Sequence, residues 1–81
     1  PSRPSIAERW SFVIRHCRRA VESDRYGEEK HTLMAMRSRL MTYCKGFPGA
    51  KPLRQQLSQV SSIADVEEIA ARSENLREEY R

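Results

Sequence analysis

The side chains in this 81-residue sequence with the most reactive chemistry are two cysteines and two histidines. Cys17 directly follows His16, and neighbouring residues on a helix point about 100° apart, so this imidazole could not act as the base for that thiol. Cys17 and Cys44 lack the CxxC spacing of zinc and redox sites, and His16 and His31 lack the i, i+4 spacing of helical metal ligands. We therefore expect no catalytic residues, no metal site, no cofactor and no small-molecule substrate, and we expect that the chain is not an enzyme.

Both cysteines fall on apolar stripes, which favours small core residues over reactive thiols. In a helical hairpin folded about Gly27 they would be staggered by about 10 Å, too far for a disulfide within one chain. We expect reduced thiols and an intracellular protein, cytoplasmic or nuclear. No run of apolar residues reaches the length of a signal sequence or a membrane span, so no membrane partner is expected.

The basic residues are more informative. Residues 1–61 carry twelve bases and five acids, whereas residues 62–81 carry three bases and six acids. Twelve of the fifteen bases are arginine, whose planar guanidinium suits phosphate or carboxylate oxygens. This asymmetry indicates a polyanionic partner for the first part of the chain. The alternative explanation is an arginine-rich composition set by the gene.

The candidate nucleic-acid contacts are cations that lie mostly off the apolar stripes of the first two predicted helices. Arg37 is the exception, since it falls inside an apolar arc and must pair, extend to solvent or contact a ligand. Duplex RNA is recognised through phosphates, 2′-hydroxyls and shape, so RNA is favoured over DNA. For the first helix the alternative is a solvated face without a partner. The predicted nucleic-acid-binding residues are Arg15, Arg18, Arg19, Arg37, Arg39 and Lys45.

Apolar periodicity predicts four helices and no strand. Ser5 and Glu8 form a capping box for the first helix, which we expect to end near Tyr26, with Gly27 as the left-handed closing residue. Its apolar residues recur at steps of three and four along one stripe: Ile6, Trp10, Val13, Ile14, Cys17, Ala20 and Val21.

The second predicted helix runs from Glu28 to Lys45, and the short turn before it favours an antiparallel hairpin with the first. Its apolar residues cover a broad arc, so we expect it to be central. The three methionines, Met34, Met36 and Met41, are expected in the core.

Two prolines and a glycine within residues 47–52 separate this hairpin from the rest of the chain. Pro52 can occupy the first position of a short third helix of about ten residues. Ser62, with Asp65 three residues later, caps a fourth helix.

These elements predict an all-α fold: an antiparallel helical hairpin plus a short third and an amphipathic fourth helix, in one small bundle over residues 1–81. The mean hydropathy of −0.78 leaves little apolar surface for a core. We therefore expect a homo-oligomer, because small scaffolds are often completed by a second copy.

Phe12 lies about 140° from the centre of its helix's apolar stripe, and large exposed aromatics usually contact a partner. We expect it at a helix dimer interface or packed under the fourth helix, with base stacking as the alternative. Leu76 and Tyr80, on the thin apolar stripe of the fourth helix, are the other predicted interface residues.

Residues 6–45, with the segment Met36 to Leu40 on the second helix, are similar in organisation to the small helical silencing suppressors of insect nodaviruses. That resemblance implies a dimer of helical hairpins bound to double-stranded RNA. Our leading hypothesis is thus a non-enzymatic helical module that binds a nucleic-acid backbone, double-stranded RNA above all, as a homodimer. The alternative is a protein-protein interaction adaptor or regulatory domain that recognises an acidic partner.

Overall fold

A computed structural model describes residues 5–24, 27–45, 47 and 49–79. Within the last range, residues 74–79 are described by their backbone alone. The chain forms helices α1 (Ile6–Ser23), α2 (Glu29–Tyr43), α3 (Ala50–Leu57) and α4 (Ile63–Glu79), and the described residues contain no strand. α1 contacts α2, α2 contacts α3, α3 contacts α4, and α4 returns to contact α1. The predicted all-α bundle is confirmed.

The hairpin of α1 and α2 is antiparallel. Arg9 Nη2 donates to the Lys45 carbonyl at 3.1 Å at one end of the hairpin. Thr32 Oγ1 donates to Asp24 Oδ2 at 2.9 Å at the other end. Residues of increasing number along α1 therefore face residues of decreasing number along α2. This register determines which surface residues of the two helices are neighbours.

α1 ends at Ser23, earlier than the predicted end near Tyr26, which lies outside the described residues. The reason is Asp24, whose backbone is extended and whose carboxylate also accepts from the Glu28 backbone N–H at 3.1 Å. An aspartate side chain that binds nearby backbone competes with continued helix. Gly27 has the expected left-handed conformation, with φ of +64°.

The core lies at the centre of the helix ring. Its largest fully buried side chains are Trp10, Leu33, Leu40, Leu57, Val60 and Val66, together with both cysteines. The prediction that all three methionines are core residues is wrong for Met34, which is 45% exposed, whereas Met36 is buried and Met41 is half-buried. Met34 directly follows Leu33, so it points about 100° away from the centre of the buried face.

α3 begins at Ala50 instead of Pro52, because Gly49 with φ of +67° serves as its N-terminal cap. It is eight residues long, shorter than predicted.

The start of α4 is fixed by three hydrogen bonds. Ser62 Oγ accepts from the Asp65 N–H at 3.0 Å, which confirms the predicted cap. Asp65 Oδ2 accepts from the Ser61 N–H at 2.9 Å. Glu29 Oε1 accepts from the Ile63 N–H at 2.5 Å, so the first turn of α2 also caps α4.

This cap predicts a loss of stability in acid. The Ser61 N–H bond is the largest of the effects that hold the pKa of Asp65 below its ordinary value. A carboxyl whose pKa is lower in the folded state contributes stability above its unfolded pKa, near 3.9, and loses it as the pH falls through the folded value. We expect Asp65→Asn to lower the melting temperature at pH 7 and to lower it much less at pH 3. Thermal unfolding followed by circular dichroism measures both, and an equal difference at the two pH values would contradict the role of the carboxylate.

Candidate nucleic-acid interface

Three rings meet on the outer side of the hairpin, where α1 faces α2. The Phe12 ring centroid lies 6.3 Å from that of Tyr43, with the rings nearly perpendicular at 78°. His16 lies 5.9 Å from Tyr43 and 6.2 Å from Phe12, again between ring centroids. We call Phe12, His16 and Tyr43 the ring cluster.

Arg39 borders the ring cluster, with its Nη1 3.5 Å from His16 Nε2. A guanidinium can only donate, so this contact is a hydrogen bond in the tautomer whose Nε2 carries no hydrogen. Arg19 comes one turn after His16 on the same side of α1, and both arginines are exposed. Neither has an acidic partner among the residues that the structure describes. We call the ring cluster together with Arg19 and Arg39 the outer seam of the hairpin. It combines aromatic rings with guanidinium groups that lack acidic partners in the described structure.

Lys45, at the far end of the seam, is held through its backbone. Arg9 donates to the Lys45 carbonyl, and its Cζ lies 4.1 Å from the centroid of the Phe47 ring, a cation–π contact. The Phe47 ring in turn meets the buried Trp10 ring edge to face at 5.2 Å. The Lys45 side chain stays exposed on this fixed backbone.

Arg15 and Arg18 lie further round α1 and differ from each other. Arg18 Nη2 is 3.6 Å from Glu67 Oε1 of α4, with both side chains roughly half exposed. An exposed ion pair of this kind contributes about 0 to 1 kcal/mol and leaves the cation accessible. Arg15 is exposed and has no acidic partner within the described part of the chain. Among the described side chains, α4 thus pairs with one of the three predicted arginines of α1.

Arg37 is half-buried, and its Nε donates to the Val60 carbonyl at 2.9 Å. This bond accounts for an arginine inside an apolar arc, because it ties α2 to the segment between α3 and α4 and satisfies a carbonyl beyond the end of a helix. A nucleic-acid contact by Arg37 stays a prediction beside this structural role.

Phe12 contacts Tyr43 of α2. Its expected place at a helix dimer interface or under the fourth helix stays a prediction. α4 lies against the flank of α1 that carries Arg18, about 120° away from Phe12. Phe12 is 57% exposed. The side chains of the other two predicted interface residues, Leu76 and Tyr80, lie outside the described residues.

Sequence reasoning assigned no site role to His16, Tyr43 or Arg9. The signal that could have found the first two is the hairpin register, since an antiparallel pairing that brings Arg9 to Lys45 also brings Phe12 opposite Tyr43. The sequence pattern did not give the number of residues in the turn between α1 and α2. Each residue added to that turn shifts every residue pair across the hairpin.

The reactive side chains do not join this surface. Both cysteines are buried and free. Burial raises the pKa of the Cys17 thiol to about 11, and burial also raises the pKa of Cys44. Among the described residues no three His, Cys, Asp or Glu side chains are grouped so that they could hold a metal ion. No described helix has the length and apolar character needed to cross a membrane.

The chain is similar to part of a tRNA-modifying enzyme. It is 32% identical over 66 residues, 82% of its length, to a Synechocystis protein named probable tRNA-dihydrouridine synthase 1. The match spans 18% of that protein's length. No protein-family model matches the chain, and no solved structure matches it.

Proposed function

We propose that this chain is a non-enzymatic helical module that binds the backbone of a folded RNA. The observation that carries the proposal is the outer seam of the hairpin, where Arg19 and Arg39 stand exposed and free of acidic partners in the described structure, beside the ring cluster. Guanidinium groups bind phosphate oxygens in bidentate geometry, and guanidinium groups that are not ion-paired keep that attraction uncompensated. Arg15 and Lys45 extend the same positive surface along the two helices.

The Synechocystis relative supports RNA as the nucleic acid, because its name gives it a tRNA substrate. We propose duplex regions of a folded RNA, with tRNA as the first candidate, as the ligand of this chain. Duplex RNA offers a wide minor groove of 2′-hydroxyls between two lines of phosphates, which suits a rigid helical surface without base-reading side chains. The predicted homodimer is a separate part of the proposal, with sedimentation velocity as its test.

The absence of a catalytic role is also proposed, and it is supported by the state of the two thiols. A cysteine acts as a nucleophile only as the thiolate. Burial that raises the pKa of Cys17 to about 11 disfavours the thiolate at neutral pH.

Salt dependence of RNA binding tests the proposal. Fluorescence anisotropy of a labelled 20-base-pair RNA duplex and of a tRNA transcript is measured at 50 and 200 mM salt. Binding near 1 μM at the lower salt is expected, followed by a loss of roughly 40-fold for three phosphate contacts and roughly 500-fold for five. The DNA duplex of the same sequence is the control, and we expect it to bind more weakly because it lacks 2′-hydroxyls.

No anisotropy change at micromolar protein and 50 mM salt would refute RNA binding. In that case the same arginines would favour the alternative function, recognition of an acidic protein partner.

A further inference from the structure

We propose that Phe12 is a stacking site for an unpaired nucleobase, and that the phosphate next to that base lies against Arg39 or Arg19. This inference rests on the proposed RNA binding and adds to it a second class of contact. Backbone binding needs only the cations, whereas a stacking site makes the chain prefer RNA that has a loop or an unpaired nucleotide beside a stem.

The Phe12 ring is open to solvent. Phe12, at 57%, and Met34, at 45%, are the exposed large apolar side chains of the described structure. An exposed phenyl ring on a helix that already has a complete buried stripe contributes little to folding, so its apolar surface is available to a ligand.

Neighbouring aromatic side chains support the Phe12 ring. His16 and Tyr43 lie next to each other beside Phe12, at 6.2 and 6.3 Å from it between ring centroids, and both are half-buried. Their packing restricts the directions that the Phe12 ring can take before a ligand arrives. A ring that is already ordered loses less side-chain entropy on binding, which favours affinity.

The charge around the Phe12 ring favours a nucleotide as its ligand. Arg39 contacts His16 within the ring cluster, and Arg19 lies one turn further along α1. A nucleotide supplies a flat π face and a negative phosphate together, so it can use Phe12 and a guanidinium at the same time. A second copy of this chain would bring the same arginines of two molecules together, and like charges oppose that contact.

Two RNAs with the same stem test the inference. One is closed by an unpaired loop, the other is a blunt duplex, and both are titrated against the full chain and against Phe12→Ala, Phe12→Leu and Phe12→Trp. Met34→Ala is the matched control, because it removes the other exposed apolar side chain on the far flank of α2. Circular dichroism checks the helix content of each variant.

We expect Phe12→Ala and Phe12→Leu to weaken binding of the looped RNA about tenfold, the scale of base–aromatic stacking, and to change duplex binding by less than about twofold. Phe12→Trp should retain binding of the looped RNA, and Met34→Ala should leave both RNAs unaffected.

Three results would overturn the stacking site while RNA binding stands. They are an unchanged affinity of Phe12→Ala for the looped RNA, an equal loss for both RNAs, and wild-type affinity of Phe12→Leu, which would show apolar packing without stacking. A lower sedimentation coefficient of Phe12→Ala without RNA would assign the ring to a second copy and also overturn it. If the wild-type chain binds neither RNA, the proposed function itself fails, and the inference fails with it.

Discussion

Replacing Arg19 and Arg39 together by glutamine is expected to weaken RNA binding about 100-fold near 0.1 M salt and to reduce the salt slope by about two units. Each phosphate contact removed retains about one counterion on the RNA, so both the affinity and its salt dependence should fall. Both side chains are exposed, and their described contacts are limited to the long one between Arg39 and His16. We therefore expect unchanged helix content. Anisotropy titrations at four salt concentrations measure the two quantities.

The matched control removes the same charge elsewhere. Lys51 and Arg54 are exposed on α3, which contacts α2 and α4. Glutamine at these two positions should weaken binding much less than glutamine at the seam. Equal losses from the two double variants would show that overall net charge, and not the seam, determines RNA binding.

Trp10→Ala is expected to have the largest effect on stability. Trp10 is 1% exposed and packs edge to face against Phe47 within the core. Truncating a buried aromatic to alanine costs about 3 to 5 kcal/mol, and a chain of this size has a total stability of only about 4 to 12 kcal/mol. Urea unfolding followed by circular dichroism should show a large drop in the midpoint or a chain that is already unfolded in water.

Two controls separate burial from the chemistry of the ring. Phe12→Ala removes an aromatic from the same helix at a position 57% exposed, and it should cost less than about 1 kcal/mol. Trp10→Phe should cost much less than Trp10→Ala, because the Trp10 Nε1 has no hydrogen-bond partner to lose among the described residues. A midpoint for Trp10→Ala close to that of Phe12→Ala would contradict the central place of Trp10.

The helix caps show which contacts can be predicted from residues close together in the sequence. Ser5 accepts from the Glu8 N–H at 3.1 Å and Ser62 from the Asp65 N–H at 3.0 Å, both at the predicted positions. A cap depends on residues three apart in the chain, so it can be read directly from the sequence. The cap that Glu29 provides for α4 joins residues 34 positions apart, and no local pattern indicates it.

The features of the candidate site also divide into those that local sequence predicts and those that depend on helix packing. Exposure of Arg15, Arg19, Arg39 and Phe12 follows from helical periodicity, which sorts side chains by direction on a single helix. The pairing of Arg18 with Glu67 and the bond from Arg37 to the Val60 carbonyl could not be predicted. Each depends on how one helix lies against another, and a charged side chain several bonds long can reach different partners after small shifts in that packing.

The sequence by itself determined the presence of four helices, the Ser5 and Ser62 caps, most of the buried stripes and the basic character of residues 1–61, because each of these depends on residue type and on spacings of a few residues. Only the tertiary structure decided that Phe12 and His16 meet Tyr43 and Arg39 at one surface. The physical reason is the register of the α1–α2 hairpin. Asp24 sets it by ending α1 and binding Glu28 and Thr32, and every contact across the seam follows from that turn.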